Sequence, residues 1–288
     1  MTNPWRSVRC LFESPILDER KWAKLPDIPA DAFILDLEDA VPLDGKERAR
    51  GLVVDAIRDP SYFAGRLTVP RPNPLSTPWG RDDVVAVTAA GAQTLMIAKV
   101  DSAQDIDDVR QVCLEAGGDP TFLVSIESAL GVLNAREILA HPSVVAGSFG
   151  PGDLHVDIGM SLYEPDGSEH PGLLYPKVAT ILAAVAAGVP VLGIAFAPDL
   201  KDLADVGARI AAEKRLGFTG CCAFYPPHVG LINAAFTPSD AEVAHAHEVI
   251  ELYEAAVADG KPAVQLSSGE ALLMHQYKEA QTTLARVR

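Results

Sequence analysis

Short apolar runs recur along the chain, and most are separated by segments in which apolar residues follow helical spacing. The runs carry almost no charge, as in the buried strands of a parallel sheet. We predict eight strands, at residues 7–12, 33–37, 67–69, 94–98, 122–126, 144–149, 191–196 and 221–224. We predict helices at residues 49–57, 82–90, 103–115, 129–140, 177–187 and 200–216.

Eight strands that alternate with helices predict an α/β fold of the TIM, or (β/α)₈ barrel, type. We expect this barrel to span residues 1–236 and to be the catalytic domain. A doubly wound sheet is the alternative. However, no GxGxxG motif follows the first predicted strand, and the sequence contains no P-loop.

Residues 237–288 exceed what a barrel needs and predict a helical extension at the C-terminal end. Ser239 and Glu242 have the spacing of a capping box, which indicates a helix from there to about residue 257. A last helix is expected from about residue 270 to 286. We expect the extension to act as a lid or as an oligomerisation element.

The bulk composition narrows the classes of partner. The 288 residues carry a net charge of −15, which argues against general binding to nucleic acid or to anionic lipid. The four cysteines form no CxxC pair, as expected for reduced thiols in a cytoplasmic protein. Residues 1–6 show no apolar stretch of the kind found in signal peptides.

Residues 178–197 are nearly all apolar and about as long as a membrane span. Gly188, Pro190 and Gly193 divide this stretch. We therefore predict a buried helix up to Ala187, a tight turn and then a strand, rather than a membrane helix.

Two predicted strands are each followed by a carboxylate. Residues 122–126 lead to Glu127, and residues 144–149 lead through a Gly-Pro-Gly turn to Asp153. Parallel strands joined by a helix end at the same edge, so both carboxylates are expected there. Mg²⁺ is commonly held by one or two carboxylates. The alternative is that Glu127 caps the next helix and Asp153 is a turn residue.

Other charged residues follow strands at the same predicted edge. Arg71 lies between two prolines, which would present its guanidinium rigidly to a carboxylate or an enolate oxygen. The alternative is a plain surface arginine. Asp36 and Glu38 share one face if the strand continues, and they would orient Arg71 or a water molecule, or belong to a structural ion-pair network.

Lys99 is the remaining cation at this edge. It could reach the metal or the substrate, or pair with Glu127 or Asp101, and the structural role is favoured. The seven histidines form no HxH or HExxH pattern, and His245 and His247 are expected to face solvent on the extension. No GxSxG motif for a nucleophilic serine occurs.

Several segments, in order and over nearly the whole chain, resemble the HpcH/HpaI aldolase and citrate lyase β-subunit superfamily, and most closely its CitE-like branch. The matching segments are Arg6-Ser7, 34–41 (ILDLEDAV) with Lys46 and Arg50 downstream, 71–79 (RPNPLSTPW), 126–131 (IESALG), 149–154 (FGPGDL) and 232–239 (INAAFTPS).

The resemblance implies a TIM barrel that is usually a homotrimer, with Mg²⁺ held by Glu127 and Asp153. It implies that Arg71 contacts the reacting carbonyl or enolate, and that the amides around Gly152 and Asp153 hold a substrate carboxylate. The usual reaction is reversible carbon–carbon cleavage of a β-hydroxyacyl compound, often a malyl-, citramalyl- or citryl-CoA thioester. The metal chelates the 2-oxo acid fragment.

Three segments depart from the family pattern. Leu11 to Pro15 stand where relatives carry Val-Pro-Gly, and Phe224-Tyr225-Pro226 stand where relatives carry Ile-His-Pro. In the extension, Leu273 replaces an aspartate that acts as an acid or base in a neighbouring subunit. The metal-binding residues remain while their surroundings differ, so we expect an altered substrate that need not be a CoA ester.

The sequence thus predicts a Mg²⁺-dependent carbon–carbon lyase or aldolase that acts on a small carboxylate or acyl-CoA. The alternatives are a thioester hydrolase, a decarboxylase or condensing enzyme using the same enolate chemistry, and a non-catalytic lyase-like subunit. The assigned residues are Arg71, Glu38 and Asp36 for catalysis, Arg71, Gly152, Asp153 and Lys99 for substrate binding, and Glu127 and Asp153 for the metal.

Overall fold

The structure is a computed structural model that describes residues 3–14, 16–259, 264–266, 269 and 271–287. Eight parallel strands form its central sheet. They are β1 (Cys10–Ser14), β2 (Ala32–Asp36), β3 (Leu67–Arg71), β4 (Thr94–Ile97), β5 (Thr121–Ile126), β6 (Val144–Phe149), β7 (Val191–Ile194) and β8 (Gly220–Ala223).

The hydrogen-bonded strand order is β3-β2-β1-β8-β7-β6-β5-β4, and the two end strands β3 and β4 lie side by side. The sheet is therefore a nearly closed barrel, and the predicted TIM-barrel class is confirmed. The barrel helices are α1 (Glu19–Trp22), α2 (Lys46–Arg58), α3 (Gly80–Ala89), α4 (Ala103–Glu115), α5 (Ala129–Leu133), α6 (Ala135–Leu139), α7 (Pro151–Asp157), α8 (Leu174–Ala187), α9 (Leu203–Leu216) and α10 (Pro226–Phe236).

The barrel interior is filled by side chains from alternate strand positions, as in a packed core. One cluster of buried residues contains Leu11, Ile34, Val69, Leu123 and Leu192, which come from five different strands. Trp5 precedes β1, packs into the same cluster and donates a hydrogen bond from Nε1 to Thr94 Oγ1 at 3.4 Å.

Two predicted elements need correction. The first strand begins at Cys10 rather than residue 7, because Pro4–Ser7 form a 3-10 turn in which the side chain of Asn3 accepts a bond from Trp5 N. The predicted single helix at residues 129–140 is two short helices. It breaks at Asn134, whose side chain leaves the helix surface and donates to the carbonyl of Asp101 at 2.8 Å.

The apolar stretch at residues 178–197 folds as expected for a helix, a turn and a strand. Helix α8 ends at Gly188, which has a φ of +71°, and strand β7 starts at Val191. A glycine accepts this left-handed conformation without the clash that a side chain would cause. Within the part of the chain that the structure describes, no helix combines the length and apolar character that crossing a membrane requires.

The chain divides into two compact units between Asn233 and Ala234. In the second unit, α11 (Asp240–Ala258) and α12 (Met274–Leu284) pack together, and β9 (Val264–Gln265) pairs with β10 (Ala271–Leu272). The capping box of Ser239 and Glu242 starts α11 as predicted. The last helix starts four residues later than predicted. The C-terminal helical extension is thus present, and its role as lid or oligomerisation element stays a prediction.

Candidate active site

Charged side chains from six consecutive strands come together at the carboxyl edge of the barrel. Each stands at the end of a strand or in the loop that follows, where barrel enzymes place their reactive groups. They are Glu13, Asp36, Glu38, Arg71, Lys99, Glu127 and Asp153.

Arg71 is held by three carboxylates. Its Nε donates to Asp36 Oδ1 at 2.6 Å, and its Nη2 donates to Glu13 Oε1 at 2.9 Å. Glu38 Oε2 lies 3.5 Å from Nε. The strand register explains the shortest contact, because Asp36 and Arg71 are opposite each other on β2 and β3. The Arg71 side chain is 11% exposed, so the reading of a plain surface arginine is wrong.

Asp36 is an anion that the fold holds in place. Burial alone would raise its pKa, but the bond from Arg71 and the backbone amides of Glu38 and Ala40 outweigh burial and lower it. An ionised, fully buried Asp36 fixes the plane of the guanidinium. Its geometry is therefore that of a residue that orients Arg71.

The backbone amide and the side-chain ammonium of Lys99 contact different carboxylates. Its backbone has a φ of +54°, and its amide donates to Glu127 Oε1 at 2.7 Å. Its Nζ lies 2.6 Å from Glu38 Oε1 and 3.8 Å from Asp153 Oδ1. The ammonium thus pairs with Glu38 rather than with either predicted partner. Burial alone would lower the pKa of Lys99, but Glu38 and the other acids raise it.

A buried lysine and an asparagine support the loop after β2. Lys46 Nζ donates to the carbonyls of Leu37 and Glu38 at 2.8 and 2.6 Å, and to Asn73 Oδ1 at 2.8 Å. Asn73 in turn donates to the carbonyl of Leu37 and to Asp83. This network fixes the position from which Glu38 reaches both cations.

Glu127 is buried and receives only uncharged donors. Oε1 accepts from the Lys99 amide, and Oε2 accepts from Ser125 Oγ at 2.8 Å. Gly150 leaves the space for this carboxylate, since a Cβ there would lie 2.5 Å from Oε2. Helix α5 is capped by Ser128, whose side chain accepts from Gly131 N, so the alternative that Glu127 is the cap is wrong.

The electrostatics of Glu127 fit a divalent cation. Burial, together with the charges of Asp153 and Glu38, raises the pKa of Glu127 to about 7. Among the residues that the structure describes, no cationic side chain pairs with Glu127. The described residues contain no cluster of three or more histidine, cysteine or acidic side chains able to hold a metal. A pair of carboxylates is nevertheless a common protein contribution to Mg²⁺, and Glu127 and Asp153 are the two that would supply it here.

Gly152 and Asp153 lie in the first turn of α7. The first amides of a helix have no partner within it and point outward, so they are available to an anion. Gly152 faces the ring of Phe196, which would lie 3.7 Å from an added Cβ. Asp153 is about half exposed and is reached by the Lys99 ammonium.

A cavity of about 710 Å³ is lined in part by Glu13, the carboxylate that accepts a hydrogen bond from Arg71. Its wall includes two of the three segments that depart from the family pattern, namely Phe12, Glu13 and Ser14 of β1 and Phe224, Tyr225 and Pro226 after the neighbouring strand β8. Pro15 lies outside the described residues. The rings of Phe224 and Phe196 are in contact, with centroids 5.7 Å apart, so the aromatic wall continues to Gly152. The third departure, Leu273, belongs to the second unit, where it precedes α12.

Glu13 is the member of this cluster that the sequence reasoning missed. The rule that found the others, a charged residue at a strand end, also applies to it. The first strand was predicted to end at Phe12, and Glu13 was read only as part of a departure from the family pattern. Burial raises the pKa of Glu13, while Arg71 opposes the rise.

Comparison with known proteins identifies the family. The family model for HpcH/HpaI aldolase/citrate lyase matches residues 15–226, which is most of the chain and nearly all of the barrel. The chain belongs to this family. The resemblance inferred from the sequence motifs is thereby confirmed.

Individual HpcH/HpaI relatives cover the chain broadly. A (3S)-malyl-CoA thioesterase of Cereibacter sphaeroides (strain ATCC 17025 / ATH 2.4.3) is 32% identical over 284 residues, 99% of this chain and 95% of the relative. The citrate lyase subunit beta of Escherichia coli (strain K12) is 34% identical over 248 residues, 83% of this chain and 80% of the relative.

A solved structure of CitE from Mycobacterium tuberculosis, in complex with magnesium, acetoacetate and coenzyme A, has a TM-score of 0.75. It is 25% identical and covers 98% of each chain. The HpcH/HpaI family is one of lyases and aldolases. Because a thioesterase is among these relatives, family membership leaves the reaction itself open.

Proposed function

We propose that this protein is a Mg²⁺-dependent carbon–carbon lyase that cleaves or forms a β-hydroxy acid or a β-hydroxyacyl-CoA. The observation that carries the proposal is the pairing of two features at one barrel edge. Glu127 is a buried carboxylate without a cationic partner among the described residues, and Arg71 is a guanidinium locked by neighbouring acids.

Glu127 and Asp153 would hold the Mg²⁺ ion. The ion would supply a Lewis acid for the oxygens of the 2-oxo acid fragment. The magnesium reported for the CitE structure of M. tuberculosis supports this assignment. The fit of Glu127 to a cation, described above, supports it independently.

Arg71 would stabilise the charge that develops during cleavage. In that direction the substrate hydroxyl loses its proton and the adjacent carbon–carbon bond breaks. The electron pair passes into the acyl carbonyl, and the resulting enolate then takes up a proton. Among the described residues, none accepts a hydrogen bond from Nη1 of Arg71, so Nη1 can donate to the enolate oxygen. A donor fixed in advance stabilises this charge without reorganising.

The other proposed site residues prepare this geometry. Asp36 keeps the guanidinium in one orientation, and Glu38 joins Arg71 to Lys99. The Lys99 ammonium and the amides of Gly152 and Asp153 would bind a carboxylate of the substrate. The ammonium is held by its ion pair with Glu38, and the two amides are held in the first turn of α7.

We further propose that the protein works in the cytoplasm as a homo-oligomer, namely a trimer, with a small-molecule substrate and without nucleic acid or membrane partners. The net charge of −15 supports the absence of nucleic acid and membrane partners, the four unpaired cysteines support the cytoplasm, and the trimer rests on the family resemblance. Light scattering coupled to gel filtration measures the subunit number directly. A monomer or dimer at micromolar concentration would contradict the trimer.

The central test is a panel of β-hydroxyacyl-CoA thioesters and free β-hydroxy acids incubated with Mg²⁺, with products identified by mass spectrometry. We expect a 2-oxo acid and an acyl product from at least one member. Arg71→Lys should slow this reaction about 100-fold or more, because a lysine cannot replace the guanidinium hydrogen bonds. Asp119→Asn, at an exposed ion pair with Arg110, is the control. No turnover, or equal rates in wild type and Arg71→Lys, would overturn the proposal.

Thioester hydrolysis is the second candidate, and the malyl-CoA thioesterase that aligns with 99% of this chain favours it. The same panel separates the two reactions. A lyase yields two carbon fragments, whereas a thioesterase releases free CoA and leaves the hydroxy acid intact. Release of CoA with no new 2-oxo acid would assign the site to hydrolysis.

A further inference from the structure

Glu13 lies where the reaction centre meets the large cavity. It stands near the end of β1, and its side chain is 27% exposed. Oε1 accepts the bond from Arg71 Nη2, while the residue also lines the cavity of about 710 Å³. Among the described residues, none donates a hydrogen bond to Oε2. Glu13 can therefore meet a ligand that enters from the cavity.

The charges around Arg71 are already more than balanced. Glu13, Asp36 and Glu38 contribute three negative charges, and Arg71 and Lys99 contribute two positive charges. The sum is one net negative charge, and Asp39 and Asp153, which lie 3.3 and 3.8 Å from Lys99 Nζ, make the cluster more negative still. Asp36 and Glu38 bind the Nε side of the guanidinium, and Glu13 covers its Nη2. An incoming carboxylate directed at that nitrogen would meet Glu13 rather than an open cation.

The rest of the cavity offers little compensation close to Glu13. Its wall is largely apolar, with Phe12 and Phe224 beside Glu13. Its two lysines, Lys21 and Lys24, are exposed, so water and salt screen their charge. The cavity also contains a second acid, Asp27, which is exposed and makes no ion pair with Arg71.

We propose that Glu13 is a specificity-determining residue that rejects substrates with a carboxylate facing Arg71 and accepts those with an uncharged group or a hydrogen-bond donor there. The inference rests on the proposed function, because it assumes that a 2-oxo acid binds at this edge with Mg²⁺. The inference narrows the class of substrates that the site accepts. The 2-oxo acid carries an uncharged group, rather than a second carboxylate, at the end that faces Arg71.

The test compares two ligands of equal length. Oxaloacetate and 2-oxobutyrate are both four-carbon 2-oxo acids, and they differ only in having a carboxylate or a methyl group at the far end. Calorimetric titration of the full-length protein with Mg²⁺ at pH 8 measures both affinities. Because repulsion between like charges lowers affinity, we expect wild type to bind 2-oxobutyrate at least about 10-fold more tightly than oxaloacetate.

Glu13→Gln keeps the size of the side chain and one oxygen for Arg71 but removes the charge. We expect it to tighten oxaloacetate about 10-fold and to change 2-oxobutyrate by less than about threefold. Asp27→Asn makes the same charge change in the same cavity and should leave the ratio of affinities as in wild type. Glu13→Asp keeps the charge and should retain the preference for 2-oxobutyrate. Thermal unfolding of each variant verifies that it is folded.

The outcomes are distinct. If Glu13→Gln leaves the ratio within threefold of wild type, or if Asp27→Asn shifts it equally, Glu13 merely balances Arg71 and the inference is wrong. In that case binding of both acids leaves the proposed function standing. If neither acid binds wild type or Glu13→Gln in the presence of Mg²⁺, the inference and the proposed function both fail.

Discussion

Two buried glutamates in the barrel unit differ in whether a cationic side chain pairs with them among the described residues. Glu127 follows β5 at the carboxyl edge, and Glu213 lies on α9 against the outside of the sheet. Burial is the largest cause in both cases and raises the pKa of each carboxyl to about 7. Glu213 is paired with Lys177 on α8, which is 1% exposed. Glu127 receives only an amide and a hydroxyl.

The comparison shows that the degree of burial alone does not reveal a functional acid. An internal cation, Lys177, compensates the charge of Glu213, so this pair joins α8 to α9 without a cation from solution. The described residues provide no such cation for Glu127. A buried charge without a partner is costly, and binding of an external cation relieves that cost.

The largest expected effect comes from Glu127→Gln. Loss of this proposed direct ligand should weaken Mg²⁺ binding more than about 100-fold, the upper range for residues that only support a ligand. The fold should keep its stability, because a buried charge without a partner is removed. Calorimetric Mg²⁺ titration and urea unfolding measure the two quantities. Glu213→Gln is the matched control and should bind Mg²⁺ as wild type does. Equal Mg²⁺ affinity in wild type and both variants would show that Glu127 does not bind the metal.

The next effect is on stability, at the paired glutamate. Lys177→Met leaves Glu213 buried without its cation and should lower the free energy of unfolding by about 3–5 kcal/mol at pH 8. The double variant Lys177→Met/Glu213→Leu should recover most of this loss, because no buried charge remains. Urea unfolding at pH 8 measures both variants. If Lys177→Met also weakens Mg²⁺ binding, the pair is not purely structural.

A smaller effect should appear in the pH dependence of stability. The Glu213 carboxyl has a pKa of about 7 in the folded protein, against 4.5 as its ordinary value. Between these values the folded state holds more protons than the unfolded chain, so stability falls as the pH rises from about 4.5 to 7. The full contribution is up to about 3 kcal/mol. The difference between the wild-type and Glu213→Gln curves isolates it, and a flat difference over this range would refute it.

Gly150→Ala should give the smallest effect. Its backbone, with φ of −109° and ψ of 84°, accepts alanine, so the conflict is with Glu127, whose Oε2 and Cβ would lie 2.5 and 2.7 Å from the new Cβ. We expect the displaced carboxylate to weaken Mg²⁺ binding about 10-fold. Gly207→Ala on α9, where a Cβ meets nothing within 4 Å, is the control for calorimetry. An unchanged affinity in Gly150→Ala would mean that Glu127 need not occupy its present position.

The positions of the strands could be predicted because each buried strand is a short apolar run with its own local signal. The acids and cations at their ends follow from one rule about parallel barrels, which located Asp36, Arg71, Glu127 and Asp153. Glu13 was missed because the first strand was placed too early. The 3-10 turn at Pro4–Ser7 moves the start of that strand to Cys10, and no hydrophobic periodicity in the sequence predicts this turn.

The partners of the charged residues could not be read from the sequence. Lys99 pairs with Glu38, which is 61 positions away, because the barrel places β2 and β4 near each other on either side of β3. The break at Asn134 depends on a carbonyl that another loop supplies. Short-range patterns specify elements, whereas these contacts depend on how the closed sheet brings distant segments together.

The left-handed backbone of Lys99 sets a limit on how this protein can be made more stable. A glycine there would remove a conformational penalty of about 1–2 kcal/mol. It would also delete the ammonium that joins Glu38 to Asp153. At this one position, a substitution that raises stability would therefore remove a charge that the proposed substrate binding at the carboxyl edge of the barrel requires.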